Sequence, residues 1–124
     1  MKFINVIKEG DFVRLKTLSQ LEKEFGKAQK GVVIGSLFFG ADTADLDSTF
    51  FVYENVKEEL GNVLRIKKIK NSIVTDSILF HAENNGISYD NEYDGDVVFE
   101  KQIVDSVLIN GKWYQADTDL SVLL

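Results

Sequence analysis

Carboxylates dominate the side chains able to do chemistry in this chain: 20 Asp and Glu stand against 14 Lys and Arg, with one His and no Cys. Four of the acids alternate along Asp90-Asn91-Glu92-Tyr93-Asp94-Gly95-Asp96-Val97. Oxygen ligands at the first, third and fifth places, a Gly at the sixth and an apolar residue at the eighth follow the first part of an EF-hand loop, where the Gly permits the turn that points several oxygens at calcium. The pattern then departs. Lys101 takes the place of the closing bidentate Glu, Glu100 falls one place early, and the flanks read as strands. Asp90, Glu92 and Asp94 therefore make only a partial calcium site, and no metal or cofactor is expected. If the segment is extended instead, alternate residues share one face at about 6.8 Å spacing. Asp90, Glu92, Asp94 and Asp96 then form a negative row. With Tyr93 they are the candidate partner-binding residues, suited to a basic protein surface. The same row would keep a strand edge from aggregating, or would imitate nucleic acid in the groove of a DNA- or RNA-binding protein.

The remaining reactive residues assemble less well. His81, the single His, sits between Phe80 and Ala82 with Asp76 and Ser77 nearby on the same strand. Side chains of one strand point to fixed faces and nothing supplies an oxyanion hole, so a catalytic triad is not expected and His81 reads as a partly exposed strand residue. Asp42, Asp45 and Asp47 read as loop acids that cap backbone amides. Arg65, Lys67, Lys68 and Lys70 form the one basic cluster. The intervening Ile66 and Ile69 are aliphatic, unlike the aromatic platforms that stack single-stranded bases. A small metal-dependent hydrolase is thus the least supported of the enzymatic and binding alternatives.

These residues must be positioned by short elements. Residues 3–8 and 11–16 alternate apolar and polar positions around Glu9-Gly10, as an opening hairpin would. Ser19 with Glu22 forms a capping box, and Leu18, Leu21 and Phe25 recur at helical spacing up to Gly26, giving a helix of about two turns. Residues 31–39 and 49–53 read as buried strands, residues 56–60 as one helical turn closed by Gly61, and residues 63–70 as a half-buried strand with a basic outer face. Residues 73–82 alternate again, with Val74, Ile78, Phe80 and Ala82 inward. Residues 87–93 and 96–104 pair around Asp94-Gly95. Asn110-Gly111 between Val107-Leu108-Ile109 and Lys112-Trp113-Tyr114 is a type I′ hairpin signal, because both turn positions need positive φ. Phe38, Phe39, Phe50, Phe51, Tyr53, Trp113 and Tyr114 carry the aromatic load. Adjacent aromatics on a strand point to opposite faces, so some must face outward, where they would mark a protein partner or self-association.

Length and composition bound the whole. A chain of 124 residues suits one domain spanning residues 1–124, here with an insert at about 27–50, and 44% hydrophobic residues are enough for an ordered core. The absence of Cys fits a reducing compartment, and no apolar run reaches the length of a signal peptide or membrane span, so a cytoplasmic protein without membrane association is expected. Charge is unevenly spread. Residues 1–70 carry 12 basic and 10 acidic side chains, net +2, whereas residues 71–124 carry 2 and 10, net −8. So acidic a surface repels phosphate backbones, which argues against direct nucleic-acid binding.

Three stretches resemble a known group. Glu9-Gly10-Asp11-Phe12-Val13-Arg14-Leu15-Lys16-Thr17-Leu18, followed by Leu21 and Glu24-Phe25-Gly26, is similar to the opening of small SH3-like barrel proteins of bacterial and phage genomes. Val56-Lys57-Glu58-Glu59-Leu60-Gly61-Asn62-Val63-Leu64-Arg65-Ile66-Lys67 resembles their short helix, Gly and basic strand, and the stretch from Trp113-Tyr114 to Leu120 resembles their closing strand and tail. The resemblance implies a mainly β fold, an antiparallel SH3-like barrel or small sandwich with one or two short helices, and a phage or mobile-element origin. It implies no activity. The expectation is a non-enzymatic accessory module that binds another protein, with nucleic-acid mimicry as the alternative.

Overall fold

The computed structural model describes residues 1–26, 28–30, 37–39, 50–54, 56–71, 78–83 and 96–123. In chain order these form a 3₁₀ turn Phe3–Val6, β1 (Phe12–Leu15), helix α1 (Leu18–Phe25), β2 (Ala28–Lys30), β3 (Leu37–Phe39), β4 (Phe50–Glu54), a 3₁₀ turn Lys57–Glu59, β5 (Val63–Asn71) and β6 (Ile78–Ala82). They continue with β7 (Val97–Glu100), a 3₁₀ turn Lys101–Ile103, β8 (Val104–Ile109), β9 (Lys112–Gln115) and a last 3₁₀ turn Leu120–Leu123. The protein is mainly β. Its strands run in the order β2-β3-β4-β7-β6-β5-β1-β8-β9, and the pairings between neighbours are antiparallel. β2 and β9 are the edges. No described pairing joins them, so the sheet is open over the described residues.

Alternation builds the core. Val13 and Leu15 of β1 are buried while Phe12 and Arg14 face out, and Leu64 and Ile66 of β5 repeat the pattern. Val13 pairs with Leu64 on one side and Val107 on the other, placing three fully buried aliphatics side by side. In the other half, Phe80 pairs with Phe99, their rings 5.8 Å apart and tilted by 37°, a geometry favoured by aromatic quadrupoles. β5 joins the halves. Its first residues pair with β1 and its later ones with β6, and the register shift between Ile66 and Lys68 makes Lys67 the extra residue of a bulge. Such an extra residue bends a strand and increases its twist. Residues from both halves therefore meet in one buried cluster, with Leu21 of α1, Phe3, Val56 and Ile103 plugging its ends.

Four local expectations are corrected. Residues 3–6 form a 3₁₀ turn instead of a strand: Phe3 and Ile7 are the buried positions, and Phe3 stacks on Tyr114 at 4.5 Å. The backbone N–H groups of Phe3 and Ile4 donate to the carbonyls of Thr118 and Ala116, so this segment closes the end of the sheet. The capping box belongs to Thr17 and Gln20, two residues before Ser19 would place it. Gln20 N–H donates to Thr17 Oγ1 (3.1 Å) and Thr17 N–H to Gln20 Oε1 (2.9 Å), and Ser19 lies inside the helix. The strand expected over 96–104 is broken at Lys101–Ile103, where a 3₁₀ turn buries Ile103. Ile78, expected inside, is 47% exposed at the start of β6.

Other expectations are met. Gly26 ends α1 with φ 97°, and its N–H donates to the Glu22 carbonyl. Asn110 and Gly111 have φ 51° and 80°, the positive pair that a type I′ turn requires. Among the described residues no helix is long and apolar enough to cross a membrane. The turn expected at Asp94-Gly95 and the loop acids Asp42, Asp45 and Asp47 lie outside the described residues.

Candidate functional site

Of the acidic row, Asp90, Glu92, Tyr93 and Asp94 lie outside the described residues, and with them the calcium candidate; Asp96 is described. It sits one residue before β7, with its side chain 13% exposed, and both its oxygens are engaged: Oδ1 lies 3.0 Å from Lys67 Nζ and Oδ2 3.5 Å from His81 Nδ1. The β5 bulge explains the first contact, because the extra residue it creates is Lys67 itself. The second follows from register, since His81 pairs with Val98, two residues from Asp96 on the same face. Asp96 therefore holds two neighbours together instead of meeting solvent as part of a free row. His81 points away from the core, partly exposed at 18%, as a strand residue between buried Phe80 and Ala82 should. Burial pushes its pKa below the ordinary 6.5, against the pull of Asp96, and Lys70 and Lys68 add to the lowering. Among the described residues the carboxylate beside the imidazole, Asp96, is shared with Lys67, and the charged imidazole is disfavoured.

A second region is a cleft of about 920 Å³ between α1 and the ends of β8 and β9. Lys2, Lys16, Lys23 and Lys101 line it together with Glu24, Asp105, Asp117 and Gln115. Lys16 Nζ pairs with Glu24 Oε2 at 2.7 Å, and Gln20 Nε2 donates to Asp105 Oδ1 at 3.2 Å. Local contacts thus engage two of its carboxylates, whereas Lys2, Lys23 and Lys101 extend from exposed positions. Four lysines against three carboxylates suit the binding of anionic groups.

The third region is the outer face of β1, β8 and β9. With Val13, Val107 and Tyr114 in one inward row, the register brings Phe12 level with Leu108, which pairs with Trp113, and brings Arg14 level with Ser106 and Gln115. Phe12 is 41% exposed and Trp113 37%. The Arg14 guanidinium lies over the Trp113 ring, 5.0 Å from its centroid, an attraction of about 0.5–1 kcal/mol at an exposed site. Arg65 pairs with Phe12 across the strands and extends to Glu83 at 3.4 Å. An apolar row flanked by cations results. Arg14 is a polar position in the alternation along residues 11–16, but no sequence pattern turned Phe12 outward or joined either residue to Trp113, about a hundred residues away. Of the other expected surface aromatics, Phe38, Phe39, Phe50, Phe51 and Tyr53 lie on β3 and β4, whose side chains are outside the description.

Compared with models of protein families, with characterised proteins and with solved structures, the chain has no match.

Proposed function

We propose that the chain is a non-enzymatic accessory module that binds another protein through the outer face of β1, β8 and β9. The observation that carries this reading is the pair of exposed aromatics Phe12 and Trp113, on either side of half-buried Leu108, with Arg14 stacked on the indole. Trp, Tyr and Arg are the residue types in which binding energy concentrates at protein interfaces, and stacking on Trp113 orders the Arg14 side chain before a partner arrives. The SH3-like barrel remains the preferred fold reading. It is supported by β5 being shared between two half-sheets, bent at the Lys67 bulge, around one core. The resemblance that suggests this barrel also suggests a phage or mobile-element protein acting in the cytoplasm. Nucleic-acid mimicry gains nothing from Asp96, which is paired with Lys67 and His81.

The test is capture from a host lysate at low and high salt, with the wild-type chain and the double variant Arg14→Glu/Trp113→Ala side by side. A protein retained by the wild type and lost by the folded variant is the expected result. Equal retention by both would overturn the assignment of this face, and recovery of a nucleic-acid-binding protein that depends on the acidic segment would move mimicry to first place.

A further inference from the structure

The hairpin β8-β9 has two-residue geometry, in which the closing pair Ile109 and Lys112 exchanges backbone hydrogen bonds and every second pair repeats the exchange. Val107 with Tyr114 is the next such pair, and the Ala116 N–H donates to the Asp105 carbonyl at 3.0 Å, as the alternation requires. The intervening residues Trp113 and Gln115 therefore direct their backbone groups away from β8, toward the open edge of the sheet. The Gln115 carbonyl accepts from Thr118 N–H. Trp113 N–H, Trp113 C=O and Gln115 N–H remain, and outside the β8-β9 ladder no described backbone group bonds to them. A strand edge beside an exposed Trp-Arg platform is a template for an added strand.

We propose that this edge takes an extended acidic peptide segment of a partner protein, hydrogen-bonded to Trp113 and Gln115 as an additional strand. The proposal rests on the protein-binding reading and names the partner's chemistry. Charge selects the occupant: Arg14 lies over Trp113 on the outer face, and the cleft that begins at Gln115 presents Lys2 and Lys23 from exposed positions against Asp117. Side chains of an added strand alternate between faces. One outward position rests against Trp113 and Arg14, and the next outward position, two residues along, faces Gln115 and the lysines. The segment is thus acidic at alternate positions, opposite in sign to a partner chosen by the chain's own acidic third. A single-stranded nucleic acid would also find aromatic and Arg groups here. It has no use for a strand edge, however, and the net charge of −6 opposes its phosphates.

The experiment selects binders from a library of random linear peptides displayed against the full chain, then measures affinity for wild type, Gln115→Pro and Arg14→Glu. Proline at 115 removes an N–H that faces the open edge and leaves the Trp113 platform in place, a substitution that edge strands tolerate. Because that variant could still disturb the hairpin, the peptide is also N-methylated at each backbone nitrogen in turn, which leaves the protein untouched. The expected result is a set of peptides with Asp or Glu at alternate positions, weakened at least tenfold by Gln115→Pro and by Arg14→Glu, and sensitive to methylation at every second nitrogen only. Peptides that lose affinity with Arg14→Glu but tolerate Gln115→Pro and every methylation would overturn strand addition and leave the binding face standing. Peptides indifferent to both protein variants would remove the face as well. Selection of no peptide, or tighter binding of an oligothymidylate probe that quenches Trp113, would overturn the proposal.

Discussion

His81 shows how a single residue joins the sheet to the surrounding pH. Its imidazole is held below the ordinary pKa of 6.5 chiefly by burial, with Asp96 pulling the other way and Lys70 and Lys68 reinforcing the shift. The folded chain therefore resists a proton that the unfolded chain accepts. This contribution to stability is fully present above the unfolded value and is lost as pH falls through the folded one. Thermal unfolding followed from neutral pH to about pH 5.5 should show a falling Tm, and His81→Gln should flatten that fall. An unchanged slope in the variant would mean that Asp96 compensates burial completely. Arg14 and Trp113 belong to the same scale. Arg14→Glu replaces a cation on the indole with an anion, yet both side chains are at the surface, so its stability cost should be small, within about 0.5–1 kcal/mol. Its effect on capture of a partner should be large, and denaturant unfolding beside the capture experiment separates the two.

At the level of elements, the helix cap gives the sharpest check. Thr17→Ala should destabilise the fold by about 1 kcal/mol, because it removes the acceptor of the Gln20 N–H, whereas Ser19→Ala, inside the first turn, should be close to neutral or slightly stabilising. Urea unfolding of the two variants decides between the positions, and the reverse ranking would restore the box at Ser19. Ser19 with Glu22 and Thr17 with Gln20 are both proper capping pairs in sequence. What separates them is where the chain leaves β1, a tertiary fact. The Asn110-Gly111 hairpin, Gly26 as helix stop and the buried alternation of β1 and β5 were legible because each rests on local chemistry: positive φ, left-handed caps and a period of two. The Phe3–Val6 turn was not, since six alternating residues carry too little pattern to distinguish a strand from a turn that plugs the sheet end. The 3₁₀ turn at Lys101–Ile103 escaped for a related reason: Glu100-Lys101-Gln102, between Val97-Val98-Phe99 and Ile103-Val104, contains neither Gly nor Pro to mark a break. Lys67 was read as part of an exposed basic face, and only the bulge, a property of two strands together, sends it to Asp96.

For the whole molecule, the uneven charge takes on a different meaning once the elements are in place. The sequence places net −8 in residues 71–124, which suggested an acidic contact surface. Asp96, the described member of the acidic row, is instead engaged inside the structure, and the exposed Trp113 carries the Arg14 guanidinium over its ring. Sequence separation hid this face, because Phe12 and Arg14 meet Leu108 and Trp113 only through the β1-β8 and β8-β9 pairings. A partner bound on this face would shield its amides, and hydrogen exchange of the chain with and without its captured partner reads that shielding residue by residue. Slowed exchange at Phe12, Arg14, Leu108, Trp113 and Gln115, with the amides around His81 and Asp96 unchanged, is the expected result. Protection confined to the His81 and Asp96 side of the sheet, with Trp113 and Gln115 exchanging as fast as in the free chain, would contradict it.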